Sequence, residues 1–110
     1  MRRVLRILFF CIISLKLLPT LVAEELRIAT YNLNNYLVTD RFVDGRWRPS
    51  YPKPEREKAI IRQIIKDVSP DVLVLQEMGS IDFLYELRAD IAREGIHYEY
   101  FAHMEGADQN

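Results

Sequence analysis

Cysteine is almost absent from this chain of 110 residues, the single copy being Cys11. It falls in a segment that lacks acidic side chains altogether, since residues 1–23 hold Arg2, Arg3, Arg6 and Lys16 but no Asp or Glu. The opening MRRVLRILFFCIISLKLLPTLVAEE combines that basic start with an apolar run from Ile7 to Leu15 and a small residue, Ala23, where a signal peptidase could cut. The expectation is a signal peptide over residues 1–23 and an exported protein, periplasmic or secreted. The alternative is an uncleaved signal kept as a membrane anchor. Arg6, Lys16 and Pro19 interrupt the roughly 20 apolar residues that a span requires, so no stable anchor is expected once the signal is cut. Cys11 would leave with the signal. What remains has no thiol, which excludes a disulfide, a cysteine metal site and a cysteine nucleophile.

Positive charge is also scarce in the remainder, where eleven basic side chains face sixteen acidic ones, a net of −5. General binders of polyanions carry the opposite sign, because they release counterions from the phosphate backbone. If this protein handles phosphates, a cation must help. Histidine is limited to His97 and His103, neither with a paired Asp motif, so neither is taken as a general base. The sequence has no internal repeat and no low-complexity tract, and nothing in it argues for an oligomer.

What is present alternates between two periods. LRIATYN reads as a strand, with Leu26, Ile28 and Thr30 alternating against Arg27, Ala29 and Tyr31. Tyr36 to Pro54, YLVTDRFVDGRWRPSYPKP, holds three prolines and no sustained period and reads as a long ordered loop. EREKAIIRQIIKDV sets Ile60, Ile61, Ile64, Ile65 and Val68 on one helical stripe, and Ser69-Pro70-Asp71 stops it. VLVLQ follows as a continuous apolar run, expected to be a strand covered on both faces. A second helix is expected from Ile81 to Arg93, capped by Ser80 and closed by Gly95, and HYEYFAH alternates as a third strand. Strands alternating with helices predict an α/β fold.

Two polar residues close the buried strands, Asn32 after LRIATY and Glu77 after VLVLQ. In open α/β sheets such strand ends form the crevice where ligands bind, and an amide with a carboxylate suits a hard cation. On spacing alone they serve equally well as residues that simply end strands. Gln76 should point to the face opposite Glu77. Arg46-Trp47-Arg48 interleaves bases with an aromatic ring, as a surface that touches phosphates and stacks on bases would; the alternative is a proline-braced loop whose Trp47 and Tyr51 cover the edge of the sheet.

The pair LRIATYNLNNYL and SPDVLVLQEMGS resembles the first two motifs of the endonuclease/exonuclease/phosphatase superfamily of metal-dependent phosphodiesterases. The resemblance runs from Leu26 to about Tyr100. It implies that Glu77 binds a catalytic Mg²⁺ or Mn²⁺ and that Asn32 stands beside it as ligand or hydrogen-bond partner. Asn34 occupies a place that is acidic in some members, and with Gln76 it is a candidate to support the ligands. Arg46, Trp47 and Arg48 are candidate substrate contacts. The implied substrate is a phosphodiester, in the first instance nucleic acid, with phosphoinositides and sphingomyelin as other substrates of the family. The implied architecture is the N-terminal portion of a layered α/β sandwich over residues 24–110.

The family's later motifs, an Asp-x-Asn in the middle of the domain and a Ser-Asp-His type near its C-terminus, are read as missing. The latter supplies the base that activates water, so the chain is expected to be an N-terminal fragment of an exported phosphodiesterase, inactive in isolation. The competing expectation is a small exported binding or structural module in which Asn32 and Glu77 are turn residues.

Overall fold

The computed structural model describes residues 24–106. The expected signal peptide, with Cys11 and the cut after Ala23, lies outside the described residues. The chain is an α/β protein whose elements run β1 (Ile28–Tyr36), β2 (Thr39–Val43), β3 (Arg46–Tyr51), α1 (Glu55–Val68), β4 (Val72–Met78) and α2 (Ile81–Arg93). Strands β1 and β4 pair in parallel, from Ile28 opposite Val72 to Asn32 opposite Gln76. The ladder then breaks and resumes with Tyr36 opposite Met78. A parallel pair needs a long crossover, and α1 supplies it.

Both helices have the expected bounds. Helix α1 starts after Pro54, whose carbonyl accepts the N–H groups of Glu57 and Lys58. It stops where Ser69 turns left-handed and its N–H returns to Ile65. Ser80 occupies the N-cap position of α2, but its side chain makes no capping hydrogen bond. Gly95, at φ +94°, closes that helix with its N–H on Ala92.

The core consists of Leu33, Tyr36, Ile61, Ile65, Leu87 and Ile91, with Leu73, Leu75 and Met78 packed against it. Each fully buried aliphatic side chain contributes on the order of 1.5–3 kcal/mol. Only part of the isoleucine stripe takes part: Ile61 and Ile65 are buried, whereas Ile60, Ile64 and Val68 stay exposed. Across the joint between the helices, Lys58 pairs with Glu86, and Arg62, held within α1 by Glu55 at 2.5 Å, reaches Glu94 at 3.4 Å and Asp90 at 3.7 Å.

Three expectations need correction. The long loop contains an antiparallel hairpin, β2 with β3, turned at Asp44-Gly45 with both residues at positive φ. That is the backbone of a type I′ turn, whose twist matches the flanking strands. Second, HYEYFAH is not a strand, because its groups find other partners. Tyr98 donates its hydroxyl to Pro70 at 2.7 Å, Arg88 of α2 donates to the Tyr98 carbonyl, and Phe101 packs on Tyr85 and Arg88. Third, β4 is covered on one face only: Leu73 and Leu75 face the helices, while Val72 and Val74 are 44% and 45% exposed among the described residues. No helix among the described residues is long and apolar enough to cross a membrane.

Candidate functional site

Asn32 is the last residue of β1 in continuous register with β4, and Glu77 stands one step beyond its register partner Gln76. Regular alternation would send the side chains of Gln76 and Glu77 to opposite faces. Glu77 instead adopts φ +57°, a left-handed turn of the backbone at the place where the ladder breaks. Its Oε1 accepts a hydrogen bond from Asn32 Nδ2 at 3.0 Å. Its Oε2 accepts one from the backbone N–H of Asn35, also at 3.0 Å. The Asn32 amide is oriented by a second bond, its oxygen accepting the N–H of Asn34 at 2.8 Å.

Asn34 and Asn35 are both left-handed, at φ +52° and +59°, which asparagine tolerates better than most residues. Two cations hold their carbonyls. Lys53, whose side chain is 3% exposed, donates from Nζ to Asn34 O at 2.8 Å and pairs with Glu57 at 3.0 Å. Arg41 of β2 donates to the carbonyls of Asn35, Leu37 and Tyr51. The hairpin is thereby fastened to the bend that presents Asn35 to Glu77. Nothing in the sequence spacing marks Lys53 or Arg41 for this role, because both act through backbone carbonyls.

The turn after Glu77 is equally constrained. Gly79 donates to Tyr36 O at 3.0 Å and sits so close to Leu37 and Phe83 that a Cβ there would come within 2.7 Å of each. His103 brings Nε2 to 3.0 Å from the Gly79 carbonyl, so that nitrogen carries the proton. Sequence reading set this histidine aside, and a contact made across 24 residues leaves no local signal.

The structure brings Asn32, Asn34 and Glu77 together and leaves the other candidates apart. Gln76 lies opposite Asn32 on β4 and makes no side-chain hydrogen bond among the described residues. Trp47 does not cover the sheet edge. It is 71% exposed and packs edge to face on Phe42, its partner across the hairpin. Arg48 belongs to the other face, with its guanidinium 5.2 Å over the Tyr51 ring and 3.8 Å from Asp44. Arg46 is exposed.

Glu77 makes no ion pair among the described residues, so its charge is met only by two neutral N–H donors. Each carboxylate oxygen accepts one of them and keeps a lone pair. Glu77 and the Asn32 amide oxygen are hard oxygen donors of the kind Mg²⁺ and Mn²⁺ take, and Mg²⁺ habitually completes its shell with water and substrate oxygens. The described residues hold no group of three or more His, Cys, Asp or Glu that would form a full protein cage. Two surface hollows, of about 550 and 540 Å³, lie elsewhere, beside Arg88 and His97 and over the ion pairs of Arg62. The site is an open rim.

One reading of the sequence also needs correction. Asp108-Gln109-Asn110 spells Asp-x-Asn, although it lies outside the described residues, whereas no Ser-Asp-His occurs. The chain matches no protein-family model, no curated protein and no solved structure.

Proposed function

We propose that Asn32 and Glu77 are the metal-binding end of an exported phosphodiesterase of the endonuclease/exonuclease/phosphatase type, acting on nucleic acid with Mg²⁺ or Mn²⁺. The observation that carries it is the 3.0 Å bond from Asn32 to Glu77, two residues 45 positions apart that stand at the ends of two strands and that the resemblance also pairs. Bound there, the ion would polarise a phosphoryl oxygen and stabilise the leaving oxygen. Glu77 supplies the charge that holds it. Asn32 fixes the carboxylate with its N–H and offers its oxygen alongside, and Asn34 and Asn35 keep both groups in place. No described residue stands ready to take a proton from water, so this chain by itself is expected to bind the ion without turning substrate over.

The test is a Mn²⁺ titration of the whole chain, followed by calorimetry or electron paramagnetic resonance. Glu77→Gln should weaken binding on the order of tenfold or more, and Mn²⁺ should raise the melting temperature of the parent but not of the variant. Unchanged affinity in Glu77→Gln would remove the reading. Hydrolysis of DNA or RNA by this chain alone would overturn its expected inactivity.

A second reading has its own observation. Both Glu77 oxygens already serve internal donors, which is what a staple between the ends of β1 and β4 needs in a non-enzymatic module. In that case Glu77→Gln lowers stability and Mn²⁺ does nothing.

A further inference from the structure

The hairpin carries a feature that the fold does not use. Phe42 and Trp47 face each other across β2 and β3, their ring centroids 5.9 Å apart and their planes at 70°. Neither is sheltered, at 62% and 71% exposure. An edge-to-face pair left in water keeps broad ring faces free to receive a third flat group.

The local charge differs from that of the chain. Residues 36–54 hold Arg41, Arg46, Arg48 and Lys53 against Asp40 and Asp44, whereas the whole of residues 24–110 is acidic. Arg46, one step before Trp47 on β3, shares the face of Arg48 at the turn end of the ladder; it is exposed and makes no ion pair among the described residues. Asp44 is occupied by Arg48 and Arg56, and Asp40 by the backbone N–H of Ser50. The hairpin therefore offers free ring faces on one side and, on the other side at its turn end, an uncompensated guanidinium within one residue of them.

We propose that the Phe42–Trp47 face is a stacking platform for the bases of an unpaired nucleic-acid strand, with Arg46 on a neighbouring phosphate. An aromatic ring stacks on any base, and a guanidinium meets a phosphate, which together are the requirements of sequence-tolerant binding to single strands. A duplex keeps its bases stacked on one another and offers the rings nothing. The surface is too small for a stable protein partner, since two rings bury at most about 300–500 Å² while such interfaces need about 800 Å² per side. A lipid surface suits it poorly because the hairpin tip is Asp44-Gly45, and the rings lie on the flank of the ladder behind that polar tip. The proposal rests on the nucleic-acid reading above only for the choice of partner, and it needs neither the ion nor catalysis.

Trp47 is the only tryptophan in the chain, so its fluorescence reports on this face alone. The whole chain is titrated in EDTA at low salt with oligo(dT) of about twelve nucleotides, a length within the footprint of single-strand binders. Expected are saturable quenching of Trp47, no matching response to the duplex of equal length or to an abasic strand, and roughly tenfold weaker binding in Phe42→Ala. Trp47→Phe, followed by anisotropy of a labelled strand, should retain most of the affinity, and Trp47→Ala should not. Arg46→Gln should reduce the slope of log K against log salt by about 0.7. Equal quenching by the abasic strand or the duplex overturns the platform, as does no quenching at all. So does a blue shift with phosphatidylglycerol vesicles in place of a response to oligo(dT). Because EDTA is present throughout, any of these failures leaves the Glu77 site to its own Mn²⁺ test.

Discussion

Asn34, Asn35 and Glu77 are left-handed within one small bend, and a hydrogen-bonded lattice around Asn32, Arg41 and Lys53 holds them so. Beside it lies a group with the opposite problem. Tyr36 is fully buried, but its hydroxyl has no hydrogen-bond partner among the described residues. Lys58 Nζ sits 5.2 Å above the ring centroid and does not bond the oxygen. Tyr36→Phe should therefore keep or raise stability, by up to about 1 kcal/mol in urea unfolding, because it removes a polar group that folding leaves unsatisfied. A loss larger than that would mean that the hydroxyl is paired.

Burial, with Glu86 and Asp90 nearby, also pushes the Tyr36 hydroxyl above its ordinary value of 10.0. Burial raises Tyr31 and Tyr98 in the same direction, the latter with help from Asp71. The sign follows from proton counting. Above about pH 10 the unfolded chain loses these protons first, so stability that is complete below that pH declines as pH rises. The slope approaches about 1.4 kcal/mol per pH unit for each tyrosine fully held back. Urea unfolding at successive alkaline pH values should show the decline, and Tyr36→Phe should flatten it.

Among the elements, the helices were the most legible in sequence. α1 and α2 begin and end where proline, serine and glycine punctuate an apolar period, and no tertiary contact is needed to see that. The hairpin was equally present, since Asp44-Gly45 is the residue pair a type I′ turn requires. Three prolines within the segment argued for a loop, yet Pro49, Pro52 and Pro54 interrupt neither the turn nor β2. HYEYFAH misled in the other direction, because alternation marks which side chains share a face without saying that a neighbouring strand exists. Strand ends bring Asn32 and Glu77 to one crevice in the sequence, but on spacing alone they read equally well as residues that end strands, and only the resemblance favours a site. The left-handed turn that delivers Glu77 has no signature in VLVLQEM, and glutamate is a poor choice for that backbone. The sharpest test at this scale is Gly79. A Cβ added there meets Leu37 and Phe83 at 2.7 Å, so Gly79→Ala should cost about 1–3 kcal/mol in thermal or urea unfolding although no polar contact is lost. A neutral result would show that Phe83 moves aside freely.

For the molecule as a whole, the parallel pair is sided. Tyr31, Leu33, Leu73 and Leu75 meet the helices, and Ile28, Val72 and Val74 lie open among the described residues. Parallel strands are usually covered on both faces, which is why a continuous VLVL run reads as doubly buried. The asymmetry fixes where mutations matter. Leu87→Ala, in the core, should cost about 2–5 kcal/mol, while Val74→Thr on the open face should stay within about 0.5 kcal/mol. Comparable losses from the two would show that the open face is packed in solution.

Arg27 and Asp71 tie the beginning of β1 to the beginning of β4, Arg27 donating its N–H to the Asp71 carboxylate at 2.8 Å across 44 residues of chain. That separation bears on the order in which the molecule assembles. The hairpin and both helices close over short distances, whereas every β1–β4 contact must first meet the entropy of closing a long loop. Asn32 and Glu77 lie where the continuous part of that ladder ends, before it resumes at Tyr36 and Met78, so their contact depends on the same closure. Asn32→Ala should then speed unfolding in stopped-flow measurements and leave the folding rate nearly unchanged. On that order the Asn32–Glu77 contact is expected to form late in folding and to open early in unfolding.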